Sequence, residues 1–120
     1  MIEGTGRLCV KLELACQGQD LVLLLTGGEA HVGAVAVWDA RQPTEPAKVT
    51  ELANHKEGPL AGTCAEIVGR ATGRTVVAVA GIHQDEATRG EIEAIVLNAR
   101  KAAHEAAEEF LRRNGMTTAE

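Results

Sequence analysis

Three short polar segments each set a histidine beside glycine or carboxylate: Gly27-Gly28-Glu29-Ala30-His31, Asn54-His55-Lys56-Glu57-Gly58-Pro59 and Gly81-Ile82-His83-Gln84-Asp85. They hold three of the four histidines of a 120-residue chain with no tyrosine, no serine, one phenylalanine and one tryptophan. Most of the donor, acceptor and proton-transfer chemistry is therefore confined to these segments. His31, His55 and His83 with a nearby carboxylate would suit a divalent metal with one open position. The same groups would also serve as a metal-free ligand site or an acid–base pair, or they are three separate surface histidines. No two of them share a helical turn, so their convergence depends wholly on the fold.

The flanking residues read in two ways as well. Gly27 and Gly28 form a tight turn, or their bare amides beside Glu29 let an anion approach closely. Lys56 precedes a helix start at Pro59, where free amides and the helix dipole favour a phosphate; the alternative is a solvated Lys56-Glu57 pair. The Gly-rich fingerprints of P-loop and dinucleotide-binding sites are missing. With no serine, and with every cysteine outside the polar segments, nucleophilic hydrolase schemes lose their common nucleophiles. His104 falls inside a helical pattern and reads as an exposed or interface residue. Trp38 closes a strand pattern, the usual place of a packing residue.

The elements that must position these groups follow from hydrophobic periodicity. Arg7 to Cys16 alternates, with Leu8, Val10, Leu12, Leu14 and Cys16 on one face, as in a half-buried strand. Leu21 to Thr26 is a continuous apolar run after a turn at 17–20, which predicts an antiparallel partner strand covered on both faces. A third strand runs from about His31 to Trp38, where Gly33, Ala34 and Ala36 imply close approach of a backbone, helix or ligand. Residues 39–49, with Pro43 and Pro46, read as a mobile loop. A helix follows from Pro59 to the stop at Gly73, with Leu60, Cys64, Ile67 and Ala71 in register. Arg74 to Ile82, rich in valine, is a central strand. Thr88 and Glu91 form a capping-box pattern that opens a long helix through Phe110. The expected fold is a single α+β domain over residues 1–120, with a core of about 7–113 and a short flexible C-terminal tail. Its order is βββαβα, a mixed, mostly antiparallel four-stranded sheet with two helices packed on one face.

The formal charge of −5 and the scarcity of aromatics disfavour nucleic acid as a partner. Cys9, Cys16 and Cys64 are odd in number and lack Cys-x-x-Cys spacing, which favours three reduced core thiols over a disulfide framework. No segment approaches the ~20 apolar residues of a membrane span, and no basic leader precedes an apolar stretch, so a soluble, cytoplasmic protein is expected. Two helices cannot cover both faces of the sheet. The apolarity of Leu21 to Leu25 then favours a homo-oligomer.

Taken in order, Gly27 to Ala36, His55 to Ala61 and Ala71 to His83 resemble the LpdD-like family, the small D subunit associated with gallate decarboxylase, regarded as a prenylated-flavin chaperone. The resemblance implies a non-catalytic accessory protein that binds prenylated FMN, or FMN, and delivers or matures it for the large subunit of a UbiD-like aromatic acid decarboxylase. A flavin prenyltransferase would be a second partner. The matching motifs nominate Gly27, Gly28, Glu29, His31, His55, Lys56, Glu57 and His83 as cofactor-binding residues. Gly27, Gly28 and Lys56 would hold phosphate, while the histidines and Glu57 would contact the ring or a bridging cation, with His31, His55 and His83 as possible metal ligands. The alternative from another class is a small oligomeric enzyme with a His/Glu metal or acid–base site at a subunit interface. A purely structural decarboxylase subunit is a third.

Overall fold

In the computed structural model, which describes residues 1–115, one six-stranded mixed sheet carries two helices. The strands are β1 (Ile2–Glu3), β2 (Val10–Gln17), β3 (Asp20–Gly28), β4 (Ala34–Trp38), β5 (Lys48–Glu51) and β6 (Val76–His83). The helices are α1 (Gly58–Thr72) and α2 (Arg89–Arg113), and a 3-10 turn at Gly6–Leu8 precedes β2. The spatial order is β1-β2-β3-β6-β4-β5. Only β3 and β6 pair in parallel; the other neighbours are antiparallel.

The expected four strands are thus six, and the reasons are local. β1 is two residues long, too short to show a period. β5 is an edge strand whose four residues are all exposed, so it carries no apolar alternation, and it occupies the end of the stretch expected to be a loop. The remainder of that stretch is tied down: Asp39 caps the turn at Arg41, the Ala47 amide donates to Glu66, and Arg70 donates to the Pro43 carbonyl. β2 and β4 begin three residues later than expected, at Val10 and Ala34. The expected C-terminal tail falls largely on residues 116–120, outside the described residues.

Both helices lie on one face of the sheet, α1 against β4 and β6 and α2 against β2. The inward rows are small, with Ala34, Ala36, Ala78 and Ala80 fully buried against Ala61, Cys64 and Ala65 of α1. That is the close approach the glycine and alanine content of β4 implied. At Gly69 the helix meets Trp38, and a Cβ there would overlap the indole ring, so Trp38 is a packing residue. α1 starts with Pro59 in its first turn and ends at Gly73 in the left-handed region, φ 71°. α2 opens with the Thr88–Glu91 capping box, made in both directions.

Two expectations about burial are corrected. β3 is not covered on both faces: Leu21, Leu23 and Leu25 are buried, while Leu24 on the opposite face is 41% exposed. Of the three cysteines only Cys64 is in the core, where burial pushes its thiol up to about 12; Cys9 is half-buried and Cys16 exposed. No helix among the described residues is long and apolar enough to cross a membrane.

Candidate functional site

The three polar segments meet at one end of the sheet. β3 and β6 run in parallel and finish together, with Gly27 opposite Ile82 and Gly28 opposite His83. The chain leaves β3 through Gly28, held at φ 60°, where a Cβ would overlap the His83 carbonyl oxygen. It then passes over β6: a Cβ on Gly81 would overlap the His31 carbonyl, so only glycine lets the His31 backbone lie there. Asn54, in the left-handed region at φ 64°, turns the segment after β5 toward the same place.

The result is a cavity of about 480 Å³ bounded by Glu29, Ala30 and His31 on one side and by Asn54, His55, Lys56 and Glu57 on the other, with His83 closing it. That volume is of the size small-molecule sites occupy. The rings of His31 and His55 lie 4.9 Å apart and those of His31 and His83 6.5 Å apart. His31, Glu29, His55, Lys56, Glu57 and His83 are therefore brought together. Gly27 and Gly28 are not part of the cavity wall; they end the ladder and aim the segment that is.

His31 is the hub. Its Nδ1 is 2.9 Å from the Glu29 carbonyl and its Nε2 3.0 Å from Glu57 Oε1, and an imidazolium can donate to both. The Glu29 carbonyl, followed by the Glu57 carboxylate, holds the His31 pKa above its ordinary value against the opposing effect of burial. Glu57 lies directly over the Gly33 backbone, where a Cβ would overlap its carboxylate, and its Oε2 is buried without a partner. His55 donates from Nδ1 to the Ala53 carbonyl at 2.7 Å, which leaves Nε2 without a hydrogen-bond partner among the described residues. His83 uses Nε2 on Asp85, at 2.8 Å.

Two anion-binding expectations change in detail. The first amide of α1, that of Gly58, donates to Glu51 Oε2 at 2.9 Å, and Pro59 has no N–H. The first amide of the helix is thus already taken by a carboxylate. Lys56 forms no ion pair among the described residues and supplies the permanent positive charge. The metal expectation finds the rings together but not the donors: both nitrogens of His31 are partnered, and no group of three histidine, cysteine or carboxylate side chains among the described residues is set to hold a metal ion.

A second, apolar cleft of about 250 Å³ adjoins the cavity and shares Lys56, Glu57 and His83 with it. Its walls are Leu60 of α1, Ile82 of β6, and Ile92, Ile95 and Val96 of α2. Ile92 and Val96 belong to the apolar stripe of α2 yet are 52% and 37% exposed, so the stripe is too wide there for one buried face.

The α+β domain thus sets an imidazole-rich polar cavity beside an aliphatic cleft. Residues 4–111 fit the prenylated flavin chaperone LpdD-like domain, and the chain belongs to this family. No curated protein matches the chain.

Proposed function

We propose that this chain is a cytoplasmic, non-catalytic accessory protein that binds prenylated FMN and delivers or matures it for the large subunit of a UbiD-like aromatic acid decarboxylase, after receiving it from a flavin prenyltransferase. The observation that carries the reading is the shared wall of Lys56, Glu57 and His83 between a polar cavity and an apolar cleft. Prenylated FMN has the matching division into a phosphate and an enlarged apolar ring system. Lys56 and His55 would hold the phosphate, with the His31 imidazolium adding positive charge beside them, since both its nitrogens are already engaged. Leu60, Ile82, Ile92 and Val96 would cover the ring and its isoprenoid addition, excluding water from it. Glu57 stands at the junction of cavity and cleft with Oε1 on His31 and Oε2 buried against the Gly33 backbone, and so fixes His31 in place for the ligand. The decarboxylation chemistry is the cofactor's own and is supplied in the partner enzyme.

The test is an anaerobic absorption spectrum and native mass of the protein co-expressed with a flavin prenyltransferase. A flavin chromophore with the added prenyl mass is expected, with retention weakened in His55→Ala and Lys56→Ala. Neither residue is in the core, so both variants should fold normally. Equal retention in both variants moves the site elsewhere, and a protein that emerges empty but tightly bound to the decarboxylase subunit supports a structural role instead. The His31–Glu57 pair also favours a second reading, an acid–base enzyme, optionally with a metal recruited through the free nitrogens of His55 and His83. It predicts turnover, or stoichiometric metal, in flavin-free protein.

A further inference from the structure

Two carboxylates meet at the start of α1, and the nearer one does not cap it. Glu57 stands at the N-cap, yet its side chain makes no capping hydrogen bond and is given to His31 at 3.0 Å instead. The first amide of the helix, that of Gly58, is taken by Glu51 Oε2 at 2.9 Å, from seven residues upstream. Pro59 has no N–H, and the Ala61 amide already donates to the Glu57 carbonyl. Capping the helix and holding His31 are thus divided between Glu51 and Glu57.

The way β5 lies on α1 fixes that division. Glu51 pairs with Ala34 and Val49 with Ala36, and both alanines are buried under the helices, so Glu51 and Val49 share the helix-bearing face. Val49 meets α1 at Gly62, and Glu51 meets it at Gly58. Two residues along a strand rise about 6.6 Å and four along a helix about 6 Å, so the two contacts stay in register. A Cβ on Gly58 would overlap the Glu51 side chain, and one on Gly62 would crowd Val49. Between strand and helix runs the 52–57 segment, which carries His55, Lys56 and Glu57 into the cavity wall. Its beginning is held by backbone, the Leu52 amide donating to the Gly33 carbonyl, and the residue after its end is held by the Glu51 carboxylate.

We propose that Glu51, which lies outside the cavity, is a positioning residue of the site: by capping α1 in place of Glu57, it keeps the Glu57 carboxylate on His31 and the 52–57 segment in the cavity wall. Without Glu51 the Gly58 amide loses its acceptor. The uncapped helix start then competes with His31 for the Glu57 carboxylate, the anion already at its N-cap. The consequence for flavin rests on the function proposed above; the consequence for His31 does not.

The test reads the imidazole nitrogen resonances of His31 at about pH 5, where a histidine carries its proton. Glu51→Ala is expected to move the Nε2 resonance in the same direction as Glu57→Gln does. Glu51→Gln, whose amide oxygen still accepts from Gly58, should leave it in place. Gly58→Ala should reproduce Glu51→Ala, and combining the two should add nothing, because both remove one contact. Gly73→Ala is the structural control: it strains α1 at its other end, where φ is 71°, and should lower the melting temperature without moving His31. Glu51→Ala should also bind FMN about tenfold more weakly, with Glu51→Gln within about twofold of wild type. A His31 resonance unmoved in Glu51→Ala overturns the proposal, and so does one moved equally by Gly73→Ala. Wild-type protein that takes up no FMN, with the resonances moving as expected, counts against the cofactor reading and still supports the action of Glu51 on His31.

Discussion

His31 has both ring nitrogens engaged by acceptors, the Glu29 carbonyl and the Glu57 carboxylate, and this sets its charge. Its folded-state pKa lies above the roughly 6.5 of a free histidine. The sign follows from linkage: the raised value means that His31 contributes stability that is complete below about pH 6.5 and fades as pH rises through the folded-state value. A phosphate beside the same imidazolium should likewise be bound more tightly on the acid side of that transition, through the charge alone. In Glu57→Gln the His31 pKa, followed by NMR titration of the ring carbons, is expected to fall but to stay above its free value, since the Glu29 carbonyl is the larger cause. An unchanged titration would separate His31 from Glu57. Gly33→Ala should act in the same direction, because a Cβ at Gly33 displaces the Glu57 carboxylate. This pairing was not legible from the residues alone. His31 and Glu57 are joined by no periodicity, and only the order of the three motifs nominated both; Gly33 was legible as a place of close approach, though not what would approach it.

At the scale of elements, parity within β6 separates substitutions that a reading of the sequence treats alike. The valine-rich run 76–79 announces a central strand, and the strand is central, but Val76 is fully buried under the helices while Val77 faces the open side. Val76→Asp should therefore cost about 4 kcal/mol or more and leave the protein largely unfolded. Val77→Asp should keep its fold, with a melting temperature within a few degrees of wild type, on the order of 1 kcal/mol. Thermal denaturation of both variants checks this, and equal loss in the two would mean the strand is covered on both faces. The same parity explains what was misread in β3, where a continuous apolar run signalled two covered faces although one chain covers only one. Strong local signals were read correctly: Pro59 and Gly73 bound α1, and Thr88 and Glu91 cap α2. Thr88→Ala removes the cap and should lower stability by about 1 kcal/mol. Elements lacking such signals, the two-residue β1 and the wholly exposed β5, owe their existence to pairing with a neighbour, which no local pattern records.

For the whole molecule the decisive question is whether the polar cavity and the apolar cleft work as one site. They are built from different elements: the cavity from the turns after β3 and β5, the cleft from α1, β6 and the first turns of α2. Only the fold joins them, through Lys56, Glu57 and His83. If both grip one ligand, saturation at about 100 times its dissociation constant should stabilise the protein by ~2.7 kcal/mol, a rise in melting temperature of roughly 10 °C for a domain of this size. Prenylated FMN should then give a larger shift than FMN at equal concentration, since only the former carries added apolar surface for the cleft, at about 25 cal/mol per Å² buried. Ile92→Asp removes apolar surface from the cleft at an exposed position, and so spares the fold. In that variant the two flavins should give nearly equal, smaller shifts, whereas Lys56→Ala should reduce both together while preserving the difference between them. A wild-type protein that is stabilised equally by the two flavins, and an Ile92→Asp variant that behaves like it, would mean that the cleft takes no part in binding and that the ligand is recognised by its phosphate alone.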